Sequence, residues 1–232
     1  MFPEIDSATL VERDPELATV AARTVDRPVQ MVVGDVEAIE FPAADLVICA
    51  YLVNELRPEA RMRVVERAWN AAEQLLILIE PGSRAGFANI LAAREHFIAR
   101  ASESEARSGD EARIVAPCPA HMACSLAVVG DWCHFSARVE RSSLHRRLKG
   151  AELSYEDEKF SFLSVAKKPG ERAEARIVRR PEKLTGHVKL ELCTPDLLQP
   201  VTVTKKHGAL YKIARHAEWG DAFRSPVRDS RH

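Results

Sequence analysis

The chain predicts an α/β fold, a parallel sheet covered on both faces by helices, followed by a small β-rich C-terminal unit. Three observations carry this. Apolar runs alternate with helical stretches through the first hundred residues. From Arg113 onward the pattern changes to short strands and turns, and near residue 167 the composition shifts from acidic to basic. These features place a first domain at residues 1–166, carrying a cysteine-rich insertion, and a second, basic unit at 167–232.

Ala8–Val11 is a short apolar strand ending at Glu12, and Asp14-Pro15 opens a helix over Glu16–Thr24. Val29–Val33 is the next strand, closed by Gly34-Asp35. Asp45–Ala50 is a continuous apolar run of the kind a strand buried on both faces requires, with Tyr51–Leu56 at its carboxyl exit. Pro58 suits a first helical position, and Met62, Val65, Trp69 and Ala72 recur at helical spacing, so Pro58–Glu73 is an amphipathic helix. Leu75–Ile79 forms another buried strand before Glu80-Pro-Gly82. Phe87, Ile90, Leu91, Arg94, Phe97 and Ile98 trace one face of the helix after it, and Ser102–Glu111 has loop composition. A helix over Ser136–Lys149 and a strand at Phe160–Val165 complete the first domain. In the second unit His187–Leu192, Val201–Thr204 and Ala209–Ile213 read as strands, with His207-Gly208 turning the last two into a hairpin.

The 232 residues are 46% hydrophobic, enough for one substantial core plus a small second unit. No run approaches the about eighteen apolar residues a membrane helix needs, and the start lacks a signal-peptide layout. No membrane partner and a cytoplasmic location are the expectation. The net charge of −1 hides an asymmetry: −9 over residues 1–112, +1 over 113–166 and +7 over 167–232. A basic end on an acidic protein is an electrostatic footprint for nucleic acid, the other reading being a solvated tail. Arg138, Arg141, Arg146, Arg147 and Lys149 form one basic cluster, and Lys205, Lys206, Lys212 and Arg215 another.

Of five cysteines, Cys49 lies inside an apolar strand and reads as a small buried hydrophobe. Cys118, Cys124, Cys133 and Cys193 lie in loop-rich segments, where thiols without a secretory context read as a ligand set. Four thiolates close a zinc site or hold an iron–sulfur cluster, and their spacing does not choose between the two. His121 and His134 could each replace one cysteine.

Glu80-Pro-Gly-Ser-Arg84, Val115-Ala-Pro-Cys-Pro119, Asp131-Trp-Cys-His-Phe135, Leu144-His-Arg-Arg-Leu-Lys-Gly150 and Tyr155-Glu-Asp-Glu-Lys-Phe160 occur in that order. Ala50-Tyr-Leu-Val-Asn-Glu-Leu56 lies upstream and Trp219-Gly-Asp221 near the end. Together these blocks resemble the methyltransferase-like family associated with the mitochondrial small ribosomal subunit, including its bacterial members. The resemblance implies a Rossmann-type S-adenosylmethionine methyltransferase fold, here lacking the first strand and its glycine-rich loop, so that the chain is expected to begin beyond them. It implies that Cys118, Cys124, Cys133 and Cys193 hold a four-iron four-sulfur cluster. The implied role is ribosome assembly or translation, with the small subunit and its ribosomal RNA as partners, in the bacterial cytoplasm.

The same resemblance implies a cofactor site at the carboxyl ends of the strands. Glu12 is the candidate for the ribose hydroxyls and Asp35 for the adenine side, while Ala50, Tyr51 and Asn54 border the methyl donor. Asn54 and Glu55 are the catalytic candidates, since they sit at the strand exit. With no glycine-rich loop in residues 1–30, S-adenosylmethionine binding is in question. The alternative to a methyltransferase is a non-catalytic assembly factor, stabilised by zinc or a cluster, that binds ribosomal RNA.

Overall fold

The computed structural model describes residues 5–25, 28–104, 112–119, 123–150 and 152–224. The chain opens on β1 (Ala8–Glu12), α1 (Pro15–Thr24) and β2 (Val29–Val33). Asp14 caps α1: its Oδ1 accepts from Glu16 N at 2.8 Å and Leu17 N at 3.2 Å, satisfying two of the N–H groups a helix start leaves over. The crossover makes β1 and β2 parallel, in register from Ala8 opposite Val29 to Glu12 opposite Val33.

A second parallel crossover follows in β3 (Ala44–Ala50), α2 (Pro58–Ala71) and β4 (Ala72–Pro81). Then come α3 (Arg84–Ser104), β5 (Arg113–Ala116), α4 (Ser125–Val128), β6 (Phe135–Glu140), α5 (Ser143–Lys149) and β7 (Tyr155–Ala166). The main sheet runs β3-β4-β7-β5, with β6 on the far end of β7, and β7 is antiparallel to β4. Trp69 of α2 meets Phe97 of α3 edge-on at 5.4 Å over Leu76, Leu78, Leu163 and Val165, all at most 1% exposed. Fully burying each such side chain stabilises the fold by about 1.5–3 kcal/mol. The molecule is a mixed α/β fold whose two parallel crossovers are of Rossmann type.

The remainder builds a second sheet. It comprises β8 (Ala175–Ile177), β9 (Glu182–Leu184), β10 (His187–Cys193), β11 (Leu198–Thr204) and, after α6 (Ala209–His216), β12 (Ala222–Phe223). The order is β11-β10-β8-β12, with β9 on β10. Ile177, Val188, Leu192 and Val203 form its core under Ala214 of α6, all fully buried.

Four readings of the sequence are corrected here. The apolar run at 45–50 is not buried on both faces: Val47 and Cys49 pack into the first core, but Leu46 and Ile48 on the opposite face are 38% and 55% exposed. Helix α2 stops at Ala71 and β4 begins at Ala72, ahead of the expected strand start. The segment expected as one helix from Ser136 to Lys149 is strand β6 and then short helix α5, because Ser136 to Glu140 pair residue by residue with Lys159 to Tyr155. Ala209–Ile213 is helical, not a strand. Leu210, Tyr211, Ala214 and Ala217 repeat at helical spacing onto the second core, and the hairpin lies instead between β10 and β11.

Candidate metal centre and strand-exit site

Cys118 follows β5, Cys124 precedes α4, Cys133 precedes β6 and Cys193 ends β10. Four separate elements therefore deliver these thiols, and all four line one cavity, with Arg94 and Arg176 among its walls. The remaining lining includes Phe87, Ile90, Leu126 and Leu163, so the surroundings are apolar. The second sheet closes over the first at this point. Arg176 Nε donates to Pro117 O at 3.1 Å and its Nη1 donates to Gly220 O at 2.9 Å, while Arg179 pairs with Asp131. On the near side Ser161 Oγ donates to Cys133 O at 2.7 Å, and Trp132 Nε1 donates to Gly82 O at 2.9 Å under the guanidinium of Arg84.

The electrostatics of the four sulfurs are mutual. Burial pushes the Cys133 thiol well up, reinforced by Cys118, Cys124 and Cys193. Burial likewise pushes Cys193 up to about 12, with Arg94 and Arg176 opposing, and raises Cys118 while Arg94 hydrogen-bonds it and favours the thiolate. A buried group of this kind is a neutral thiol until a metal supplies positive charge. Among the described residues no three Cys, His, Asp or Glu side chains converge closely enough to hold a single ion. Tetrahedral zinc takes four sulfurs each about 2.3 Å from one centre and an iron–sulfur cube takes them at four separated irons, so the residue types alone serve either group.

His134 does not line this cavity. It is buried between Trp132, stacked at 5.0 Å, and the edge of Trp219 at 4.8 Å, so it is a packing residue and not a substitute ligand. His121 lies outside the described residues. Cys49 is 7% exposed in the first core, with its thiol raised to about 11 by burial, as an inert buried hydrophobe requires.

The strand-exit candidates divide into two places. Ala50 ends β3, and Tyr51, Asn54 and Glu55 follow it directly. Tyr51 is the only non-glycine residue with positive φ among the described residues, at 56°, and its N donates to Ile79 O at 2.7 Å. The turn rests on Glu80, which is fully buried at the end of β4: its carboxylate accepts from Val53 N at 2.9 Å and Asn54 N at 3.0 Å. Asn89 Nδ2 donates to Asn54 Oδ1 at 3.4 Å, and Arg61 Nη1 donates to Asn89 Oδ1 at 2.9 Å. Glu12 and Asp35 stand at the carboxyl ends of β1 and β2, in a two-stranded sheet not hydrogen-bonded to β3. Each carboxylate is engaged locally, Glu12 Oε1 by Asp14 N and Asp35 Oδ1 by Glu37 N. None of these six residues lines the thiol cavity.

The sequence reading overlooked Glu80, Arg94 and Arg176 as site residues. The signals were present in two cases: Glu80 opens a motif block, and Arg94 is the one charged residue on the apolar face of α3. Arg176 gave no signal, since only folding brings it opposite Cys193 across β8 and β10. The first basic cluster is partly used up in structure, with Arg138 on Asp157 and Arg141 on Glu156. Lys205, Lys206, Lys212 and Arg215 are exposed.

Ribosome assembly protein METTL17, mitochondrial, of Homo sapiens is 30% identical over 76% of this chain and 39% of its own length. Rsm22-cox11 tandem protein 2, mitochondrial, of Schizosaccharomyces pombe is 25% identical over 96% of this chain and 36% of its own. The chain thus spans less than two fifths of the length of the curated relatives it matches. Among solved structures, the YcgJ protein from Bacillus subtilis overlays 72% of this chain and 85% of its own, at 12% identity and a TM-score of 0.39. A family described as "Mitochondrial small ribosomal subunit Rsm22" matches residues 1–224, and the chain belongs to that family.

Proposed function

We propose that this chain is a methyltransferase-like ribosome-assembly protein that holds a four-iron four-sulfur cluster on Cys118, Cys124, Cys133 and Cys193 and engages small-subunit ribosomal RNA. The single observation that carries the cluster is the convergence of four thiols, from residue 118 to residue 193, on one apolar cavity flanked by guanidiniums. The donor set fits by chemistry: four soft sulfur donors line one cavity in which Arg94 hydrogen-bonds Cys118 and favours its thiolate. Bound there, the group supplies a cross-link between the two sheets, because Cys193 belongs to β10 and the other three ligands to the first unit. The chain's own residues orient that link. Arg176 spans the segments ending at Pro117 and Gly220, and Ser161 fixes the carbonyl of Cys133. A reducing cytoplasm, the proposed compartment, keeps such thiols free for ligation.

For the ribosomal partner, the support is the family and the assembly role in the human relative's name, together with the exposed lysines at 205, 206 and 212. We assign this chain a scaffold role in place of methyl transfer. Glu12 and Asp35 sit in a separate sheet from Asn54 and Glu55, and their carboxylates are engaged by their own loops. S-adenosylmethionine titrated into the protein is expected to give no binding heat, and a saturable isotherm would return the reading to an enzyme.

The deciding experiment is iron, sulfide and zinc analysis with an absorption spectrum on protein purified without oxygen, beside Cys133→Ser. About four irons and four sulfides per chain, lost in the variant, are expected. One zinc without colour would replace the cluster by a structural metal. RNA binding should weaken steeply with salt, as phosphate neutralisation demands, and a flat salt response would remove the RNA partner.

A further inference from the structure

We propose that the arm formed by β6, α5 and residues 155–159 of β7 is an RNA-contact surface, with Arg146 and Arg147 at its tip gripping phosphates ahead of the acidic first unit. The inference rests on the RNA reading above and adds to Lys205, Lys206 and Lys212 a second surface, on the first unit.

The arm leaves the body of the protein as a two-stranded ribbon. Strand β4 pairs with β7 only from Phe160 to Ala166, whereas Tyr155 to Lys159 pair in register with Glu140 to Ser136 of β6. Five residues of strand carry the tip roughly 17 Å beyond the sheet. No residue from 136 to 159 belongs to either core, and none of the described residues from 141 to 150 is buried. The shaft is nevertheless braced. Arg138 donates to both carboxylate oxygens of Asp157, at 2.9 and 3.2 Å, and lies over the Tyr155 ring at 3.9 Å, while Arg141 pairs with Glu156.

Charge is sorted along this arm. Residues 142–151 hold Arg146, Arg147 and Lys149 and no acid, whereas 136–141 and 152–159 together hold three cations and five acids. The positive end points outward. Two of the shaft acids are engaged by Arg138 and Arg141, and Arg180 acts on Asp157 as well. At the tip, Arg146 and Arg147 form no ion pair among the described residues, and Arg146 Nε has no hydrogen-bond partner there.

Guanidinium forks match phosphate oxygens and stay charged throughout the physiological range. Distance decides what the rest of the molecule does to such a contact. Residues 1–112 carry −9, which repels RNA at close range. The screening length at physiological salt is about 8 Å, half the reach of the arm, so a phosphate at the tip meets the cations while the field of the body has decayed. Leu148, 79% exposed beside the two arginines, offers apolar surface to a base.

The test uses the full chain, purified without oxygen, and a fluorescein-labelled RNA hairpin titrated over a salt series. Each lost phosphate contact makes the slope of log K against log salt shallower by roughly 0.7–0.9. Arg146→Ala/Arg147→Ala should weaken binding and flatten the slope by roughly 1.4–1.8, whereas Arg146→Lys/Arg147→Lys should keep the wild-type slope. An alanine variant with the wild-type melting temperature, affinity and slope would overturn the arm and leave its tip to an acidic protein partner, with the RNA reading intact. If the alanine variant does not fold, the wild type decides. Trypsin cleavage after Arg146 and Arg147, located by mass spectrometry, is expected to slow when the hairpin is bound, and unchanged cleavage would overturn the arm. A wild type that binds no RNA would overturn both readings together.

Discussion

Glu80 shows how one buried carboxylate organises a turn. Its two oxygens satisfy the N–H groups of Val53 and Asn54, yet burial outweighs those bonds and holds its pKa above the ordinary 4.5. The folded protein therefore binds this proton more tightly than the unfolded chain, and stability falls as pH rises from about 4.5 through the raised value. Glu80→Gln removes that dependence but leaves one N–H without an acceptor. Urea titrations should find the variant less stable, with a narrower gap from wild type at neutral pH than at about pH 4. Gly86 is constrained by space: a Cβ there would lie 2.0 Å from Pro81 O, a backbone atom that cannot step aside. Gly86→Ala should cost about 1–3 kcal/mol in the same assay, and a neutral result would mean α3 can shift along β4.

At the scale of elements, helical and strand periodicity compete in short segments, and pairing decides. Residues 136–140 carry no strong period, and β6 forms because β7 offers a partner across which Arg141 meets Glu156 in a nearly buried ion pair. Removing one side of it strands the other, so Arg141→Ala should cost about 2 kcal/mol or more by thermal or urea unfolding. Helix α6 is decided by burial of Ala214 and by the turn that launches it. Thr204 and His207 cap each other, and Gly208 adopts φ 55° and ψ −114°, a conformation closed to side chains. Gly208→Ala should destabilise by about 1–3 kcal/mol, measured by loss of cooperativity in the second unit. The alternating strands and helices of the first hundred residues, by contrast, were legible to within three residues at each end. Their apolar periods are long and their ends carry Pro15, Pro58 and Gly34.

Across the whole molecule, residues of both sheets line the cysteine cavity, Leu163 and Cys133 from the first unit and Arg176 and Cys193 from the second, with Arg179 on Asp131 beside it. A metal centre ligated from both sides would couple their unfolding, since binding free energy at such a site is folding free energy. Calorimetry of the loaded protein should give one transition. Cys193→Ser or chelation should separate it into two, and a single unchanged transition in both would show that the seam holds without metal.

By itself the sequence determined the order of the wound elements and the four thiols worth attention, because local periodicity and residue chemistry are carried by neighbours in the chain. Only the tertiary structure decided that β3 is an edge strand among the described residues, that 136–140 is strand where a helix was expected and that 209–213 is helix where a strand was expected. It also decided that Arg94 and Arg176 share a cavity with the cysteines. Those outcomes depend on which segments, tens of residues apart, come to lie against each other. Exposure, strand partnership and charge balance are properties of that contact and of no single stretch of chain.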